Sequence, residues 1–309
     1  MTFSLRQIQY FIATADAGKV SLAAANVSVS QSAVTSAVKA LEDSLGRQLF
    51  NRHSNGVSLT YDGHQFLQHA RNIIAAVSEA TRAPSRTGRT VSGRIKVGTS
   101  YTVVGYFLPP ILFRFQRTFP EIEIQLFEQD REEIESGLVT GKLDAAVMLV
   151  SNLQNAGDIQ SETLIRSRRR LWACSDHQLL RKDSVGLEDI ANEPYLMLTV
   201  DEAERSAMRY WSETPFKPNV TFRTSSVEAL RGMVASGMGI TILSDMVYRP
   251  WSLEGQRIEV KTLAGHVHTM DVGLGWKRDT ELSPAARAFC EFLTHSFSSG
   301  MSSVPHLPE

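Results

Sequence analysis

Val34, Val38, Leu41 and Leu45 recur at steps of four, three and four, one apolar stripe that predicts a helix over residues 31–45. A shorter helical piece, residues 21–27, precedes it across a polar break at 28–30. Two helices joined so tightly must cross steeply, and Ala23 and Ala24 supply the small residues that such a contact needs. Gly46 ends the longer helix because it can take the left-handed conformation. The next stretch, QLFNRHSNGVSLT, sets two strand-like pieces around Asn55-Gly56, a favoured hairpin turn. A short helix, a tight turn, a longer helix and a hairpin together predict a winged helix-turn-helix over residues 1–60.

Thr60 is a candidate N-cap for another helix. Its apolar residues Phe66, Ala70, Ile73, Val77 and Ala80 are spaced four, three, four and three, a heptad seam. Residues 61–91 therefore read as a linker helix and hinge, with Phe66, Ala70, Ile73 and Val77 as candidate dimerisation residues. An amphipathic helix packed on its own domain gives nearly the same pattern. Pro84 stops the seam, and PSRTGRTVSGR, residues 84–94, is small, polar and basic, as a hinge would be.

From Ser92 the pattern changes to alternating strands and helices. RIKVGTS is a strand, and GYFLPPILFRFQRTFP is helical if Pro109 and Pro110 sit in a first turn. IEIQLFEQD is a strand, and REEIESGLVTGKL is a helix opened by the capping pattern Asp130-x-x-Glu133. DAAVMLV is an apolar strand, and this βαβαβ run predicts a parallel sheet. A second set follows: RRRLWACS, PYLMLT and VTFRTSS as strands, VEALRGMVASGM as a helix and GITILS as a strand. HTMDVGLGW and the helix SPAARAFCEFLTHSF close the pattern, and residues 301–309 read as a flexible tail.

Composition narrows the class. The chain has 309 residues, more than one average domain, with 42% hydrophobic and 21% charged residues, as in ordinary globular proteins. No apolar run approaches the roughly 18 residues of a membrane span. The start, MTFSLRQIQYF, lacks the basic and apolar regions of a signal peptide, and the two cysteines, Cys174 and Cys290, form no CxxC. A cytoplasmic chain with reduced thiols is the expectation. The net charge of −1 hides an asymmetry: residues 1–95 hold ten Lys/Arg and five acids, +5, which leaves −6 for the remainder. A basic head on an acidic body suits a polyanion partner.

That partner can be read from the second helix. Opposite its apolar stripe stand Gln31, Ser32, Thr35, Ser36 and Lys39, with Ser30 just before them. Short polar side chains with one cation fit a DNA major groove, where Gln, Ser and Thr meet base edges and Lys reaches phosphate or guanine. Arg52 and His53 lie on the hairpin, placed to touch phosphate or the minor groove. The bland alternative is an interior helix with a solvated polar face.

Residues 1–60 resemble the DNA-binding domain of the LysR-type transcriptional regulators. The resemblance is carried by residues 5–11 (LRQIQYF), Ala23-Ala24, Val29-Ser30-Gln31, Ala33-Val34, Leu41-Glu42, Leu45-Gly46, Leu49-Phe50 and Leu59-Thr60. The remaining layout follows the same family. Departures fall at Ser32, where the family usually has Pro, at Ser36, often Arg, and at Leu22, commonly polar or basic. The resemblance implies an α/β fold overall: a winged helix-turn-helix and linker helix, then a two-lobed periplasmic-binding-protein-like effector domain over 92–300. Lobe I would hold about 92–163 and 268–300, and lobe II about 164–267, with crossovers near 162–166 and 263–268. It implies double-stranded DNA with an interrupted palindromic operator as partner, a homo-oligomer (dimer or tetramer), RNA polymerase as a further contact, and a small-molecule effector. No membrane partner, cofactor or metal is expected.

Between two such lobes, the strand ending in Thr99, Ser100 and Thr102 leads into a helix, and hydroxyls with free N–H groups make an anion site. The effector is therefore expected to be a small anion, most simply a carboxylate. Thr199 and Ser226 on the facing lobe are further candidates, although Thr199-x-x-Glu202 and Ser225-x-x-Glu228 also read as plain capping boxes.

Other features carry less. His266-x-His268 offers two imidazoles without a third ligand nearby, and Gly232, Gly237 and Gly239 follow a helix rather than precede one. Arg168-Arg169-Arg170 reads as a solvated or alternating strand segment, and Cys174 as core or, alternatively, a redox-sensing thiol. No catalytic constellation with a local signature is present, so an enzyme on a two-lobed scaffold is disfavoured. A ligand-responsive transcriptional regulator is the reading chosen. The alternative is a cytosolic solute-binding module without sequence-specific DNA binding.

Overall fold

A computed structural model describes residues 3–53, 56–82 and 91–298, in two units divided between residues 89 and 90. The turn residue Asn55, the expected hinge up to residue 90, the side chain of Ala80 and the tail 301–309 lie outside the described residues.

In the first unit, α1 (Leu5–Ala17) opens with a reciprocal cap: the Gln7 amide donates to Ser4 Oγ, and the Ser4 amide to Gln7 Oε1. Helices α2 (Val20–Asn26) and α3 (Gln31–Leu45) follow, joined through Ser28, which takes a left-handed φ of 54°. Gly46 closes α3 with a φ of 65°, as expected. Strands β1 (Phe50–His53) and β2 (Gly56–Leu59) pair antiparallel as the wing. The wing is seated on the end of α1, because the Val57 amide donates to the Gly18 carbonyl. A Cβ at Gly56 would come within 2.3 Å of that carbonyl oxygen, so only glycine fits there. Ile8, Phe11, Ala23, Ala24, Val34, Val38, Leu41 and Leu49 form the core.

Helix α4 (Tyr61–Arg82) begins at Thr60, whose hydroxyl accepts from the Gly63 amide. Leu67 and Ala70 are buried in the same core, and the Phe66 ring lies 5.2 Å from that of Phe11. Phe66 and Ala70 thus pack on their own chain, where an interchain seam was expected. The physical reason is that α1 presents Phe11 to this face. Ile73 and Val77, further along, are half-buried.

In chain order the second unit runs β3 (Gly93–Thr99), α5 (Tyr101–Tyr106), α6 (Pro109–Thr118), β4 (Ile122–Glu128), α7 (Arg131–Val139), β5 (Ala145–Leu149), β6 (Ile159–Ser167) and β7 (Arg169–Cys174). It continues with α8 (Leu187–Ile190), β8 (Pro194–Leu198), α9 (Ala203–Ser212), β9 (Asn219–Thr224), α10 (Val227–Ala235), β10 (Thr241–Ser244), β11 (Ile258–Lys261), β12 (Met270–Lys277) and α11 (Pro284–Ser298). Pro109 and Pro110 open α6, where a missing N–H costs nothing.

Lobe I is a five-stranded sheet in the order β4-β3-β5-β12-β6. Strands β4 and β5 run parallel to β3, and β12 returns antiparallel between β5 and β6. Lobe II holds β10-β7-β11 and β8-β9, linked by a bridge between Tyr195 and Ile240. Strand β6 continues through Ser167, past the expected lobe division at 163, because it pairs along β12 from Ile159 to Ser167.

Candidate nucleic-acid interface and effector cleft

On α3, Gln31, Ser32, Ser36 and Lys39 are exposed and Thr35 is half-buried, while Val34, Val38 and Leu41 are buried beneath them. The amphipathic period has placed the polar set outward. Ser30 is exposed as well, and its Oγ also caps the helix by accepting from the Ala33 amide and lies 3.0 Å from Ser32 Oγ. One of its roles is therefore to hold the helix start. The Thr35 hydroxyl donates to the Gln31 carbonyl at 2.9 Å.

Arg52 and His53 are exposed on β1. Helix and wing are fixed to each other by Glu42, whose Oε1 accepts from the amides of Leu49 (2.7 Å) and Phe50 (3.0 Å). Lys39 and Arg52 consequently line one concave surface, about 760 Å³, with Arg47, Gln48 and Asn51. Sequence reasoning missed those last three. Arg47 could have been found as the cation between the glycine stop and the wing; it pairs with Asp62 at 3.1 Å, an exposed pair that leaves its charge in the concavity.

The effector candidates divide. Thr99, Ser100 and Thr102 are all buried at the end of β3 and the start of α5. Ser100 Oγ and Gln129 Oε1 are buried without a hydrogen-bond partner among the described residues. The two positions are neighbours, since the Gln129 amide donates to the Thr99 carbonyl. The Thr102 amide donates to Asp201 Oδ2 at 2.6 Å, so a carboxylate of the chain itself meets the expected anion position.

Neither expected capping box on lobe II forms. Thr199 makes no side-chain cap bond, because the turn after it is left-handed at Asp201 (φ 51°) and Glu202 (φ 60°). Thr199 is instead held by its amide, which donates to Thr224. Ser226, one residue beyond Ser225, caps α10 through the Ala229 amide, and its acceptor is committed there. Glu228 accepts from Tyr106 Oη of lobe I at 3.0 Å, and from Arg231. Burial, and then the Glu228 carboxylate, hold the Tyr106 phenol above its ordinary pKa, so it stays a donor.

The same strained turn reaches lobe I elsewhere. Asn152 Nδ2 donates to the Asp201 carbonyl at 3.1 Å, and Asn152 Oδ1 accepts from Ser206. Arg131 Nε donates to Glu202 at 2.8 Å, and Arg131 also pairs with Glu135 at 3.2 Å. Burial works against the Arg131 charge, but the two carboxylates outweigh it and raise its pKa. None of Asp201, Glu202, Arg131 or Asn152 has a local sequence signal, since each finds its partner through the fold.

The thiols do not meet. Cys290 is buried in lobe I and pushed up to about 12, chiefly by burial, while Cys174 on lobe II is raised by burial and then by Asp176. A thiol with a raised pKa is less thiolate at neutral pH, and the thiolate is the reactive form. Both should react with iodoacetamide at pH 8 more slowly than an unperturbed cysteine. Labelling of Cys174 at the rate of a free thiol would restore it as a redox sensor. His266 and His268 pack ring to ring at 5.0 Å, with His268 bound to Glu213. No group of three or more His, Cys, Asp or Glu able to hold a metal occurs among the described residues, and no described helix is long and apolar enough to cross a membrane.

Comparison with known proteins agrees with this arrangement. Residues 5–64 match the bacterial regulatory helix-turn-helix protein, lysR family, and residues 88–298 match the LysR substrate binding domain. The hydrogen peroxide-inducible genes activator of Pectobacterium carotovorum subsp. carotovorum is 32% identical over 241 residues, 78% of this chain and 79% of that protein. The DNA-binding transcriptional dual regulator OxyR of Escherichia coli K12 is 31% identical over 248 residues, 80% of this chain and 81% of that one. Among solved structures, HinK, a LysR family transcriptional regulator from Pseudomonas aeruginosa, aligns with a TM-score of 0.63 at 27% identity, over 96% of this chain and 99% of that one. A helix-turn-helix joined to a two-lobed ligand domain, matched over both parts, places the chain in the LysR family of DNA-binding transcriptional regulators with an effector-binding domain.

Proposed function

We propose that this regulator reads an interrupted palindromic operator through Gln31, Ser32, Thr35, Ser36 and Lys39, with Arg52 and His53 supporting from the wing. The observation that carries this reading is the exposed polar face of α3, continuous with the concavity that holds Lys39 and Arg52. The protein acts in the cytoplasm as a homo-oligomer, dimer or tetramer, with α4 contributing through the half-buried Ile73 and Val77. RNA polymerase would be met at the promoter. The signal is a small anion bound between the lobes near Ser100 and Thr102; the raised pKa of both cysteines favours a bound effector over thiol oxidation.

A DNA-shift assay tests the reading face. Gln31→Ala or Thr35→Ala should relax base preference by about 1–3 kcal/mol for each well-formed bond to a base edge that the substitution removes. Lys39→Ala or Arg52→Ala should weaken binding to every duplex alike and lower the salt slope by about one phosphate's worth. Wild-type binding and selectivity across all four would remove α3 from the interface.

A further inference from the structure

We infer that the Asp201–Glu202 turn is a sprung latch between the lobes, with Asp201 as the tethered occupant of the effector's carboxylate position. This rests on the reading of the cleft as the effector site. Three contacts hold the turn to lobe I: Asp201 Oδ2 on the Thr102 amide, the Asp201 carbonyl on Asn152, and Glu202 on Arg131. Glu202 adopts left-handed backbone there beside Asp201, and for a residue that is neither glycine nor Asn/Asp this conformation persists only where the surroundings impose it. Among the described residues, Asp201 has no ion pair to lose, since its carboxylate meets a neutral amide. A ligand carboxylate can therefore take its place at little electrostatic cost, and Ser100 Oγ, buried and unpartnered two residues away, gives that ligand a partner Asp201 does not use.

Displacement frees the turn from its imposed conformation, and the strain released favours separation of the lobes. A ligand of this kind shifts the interlobe equilibrium because it binds one arrangement better than the other. The effector class follows: a small carboxylate that competes with an internal one and also reaches Ser100.

Hydrogen exchange of the full-length protein tests the latch, with sodium acetate as probe because it reproduces the aspartate side-chain group. In Asp201→Gly, peptides covering Thr102 should exchange at least ten-fold faster than in wild type, and acetate should restore protection relative to chloride at equal ionic strength. The wild type should not respond to acetate at the same concentrations. Asp201→Asn, which tolerates the left-handed backbone and keeps an oxygen acceptor, should lie between the two, and serves if the glycine variant does not fold. Unchanged exchange at Thr102 in both variants would overturn the latch. Faster exchange that acetate leaves untouched would overturn the carboxylate position. The broader effector reading fails on different grounds, if no cleft ligand alters operator binding by the wild type.

Discussion

Glu42→Ala should destabilise the DNA-binding domain by about 2–4 kcal/mol and lower operator affinity with it. The carboxylate is the acceptor for two consecutive amides, those of Leu49 and Phe50, in residues that are themselves buried. An orphaned buried N–H costs about 1–3 kcal/mol, and Glu42 is half-buried, so water reaching the site limits the total. The damage is directional: these bonds set the wing against α3, so Lys39 and Arg52 lose their common surface. Glu42→Gln retains one acceptor oxygen and should recover most of the stability. Hydrogen exchange of peptides spanning residues 47–60, read beside operator affinity, measures both consequences. Wild-type exchange in Glu42→Ala would mean that the wing is held without it, by β1–β2 pairing, the Gly18–Val57 bond and the bonds from Thr60 to the Gln48 and Leu49 carbonyls.

Arg231→Ala should be more severe, about 3–5 kcal/mol, and confined to the second unit. The guanidinium is 1% exposed and donates to the carbonyls of Val247 and Arg249 while lying 5.5 Å from the Trp172 ring centre. Alanine leaves a cavity against Trp172 and two carbonyls without their donor. The pair with Glu228 adds less, because that carboxylate is partly exposed and keeps the Tyr106 hydroxyl. Arg231→Lys should recover part of the stability, since one ammonium cannot reproduce the planar fork that reaches both carbonyls and the carboxylate. All four tryptophans, Trp172, Trp211, Trp251 and Trp276, belong to this unit, so urea unfolding followed by tryptophan fluorescence reports it directly. A stability within about 1 kcal/mol of wild type would show that α10 is anchored by its apolar face alone.

Local features were legible where a short window contains its own cause. The stripe Val34, Val38, Leu41 with Gly46 behind it produced α3 with the expected ends. Pro109 and Pro110 fell in the first turn of α6, and Asp130 capped α7 through the Glu133 amide. Features whose cause lies far along the chain were not. Strand β6 owes its length to β12, more than a hundred residues later. The strand end and helix start around Thr102 were readable, but not the aspartate whose carboxylate accepts from the Thr102 amide from 99 residues away. Capping patterns failed where backbone handedness overruled them: Glu202 cannot serve Thr199 from a left-handed turn. The heptad on α4 was real as a period but ambiguous in partner, and Phe11 took the Phe66 end of it for the domain's own core.

If α3 enters the groove as proposed, the bond from Thr35 to the Gln31 carbonyl restricts what the operator can present beneath it. A hydroxyl whose only proton is committed to its own helix has nothing left to give, and can only receive. In the major groove the amino groups of adenine and cytosine supply such a proton, and the thymine methyl can rest against the threonine methyl. Guanine offers there two acceptors, N7 and O6, and finds no donor in Thr35. The half-site base under this residue is therefore expected to be one other than guanine, a preference written by an internal helix bond before any DNA arrives.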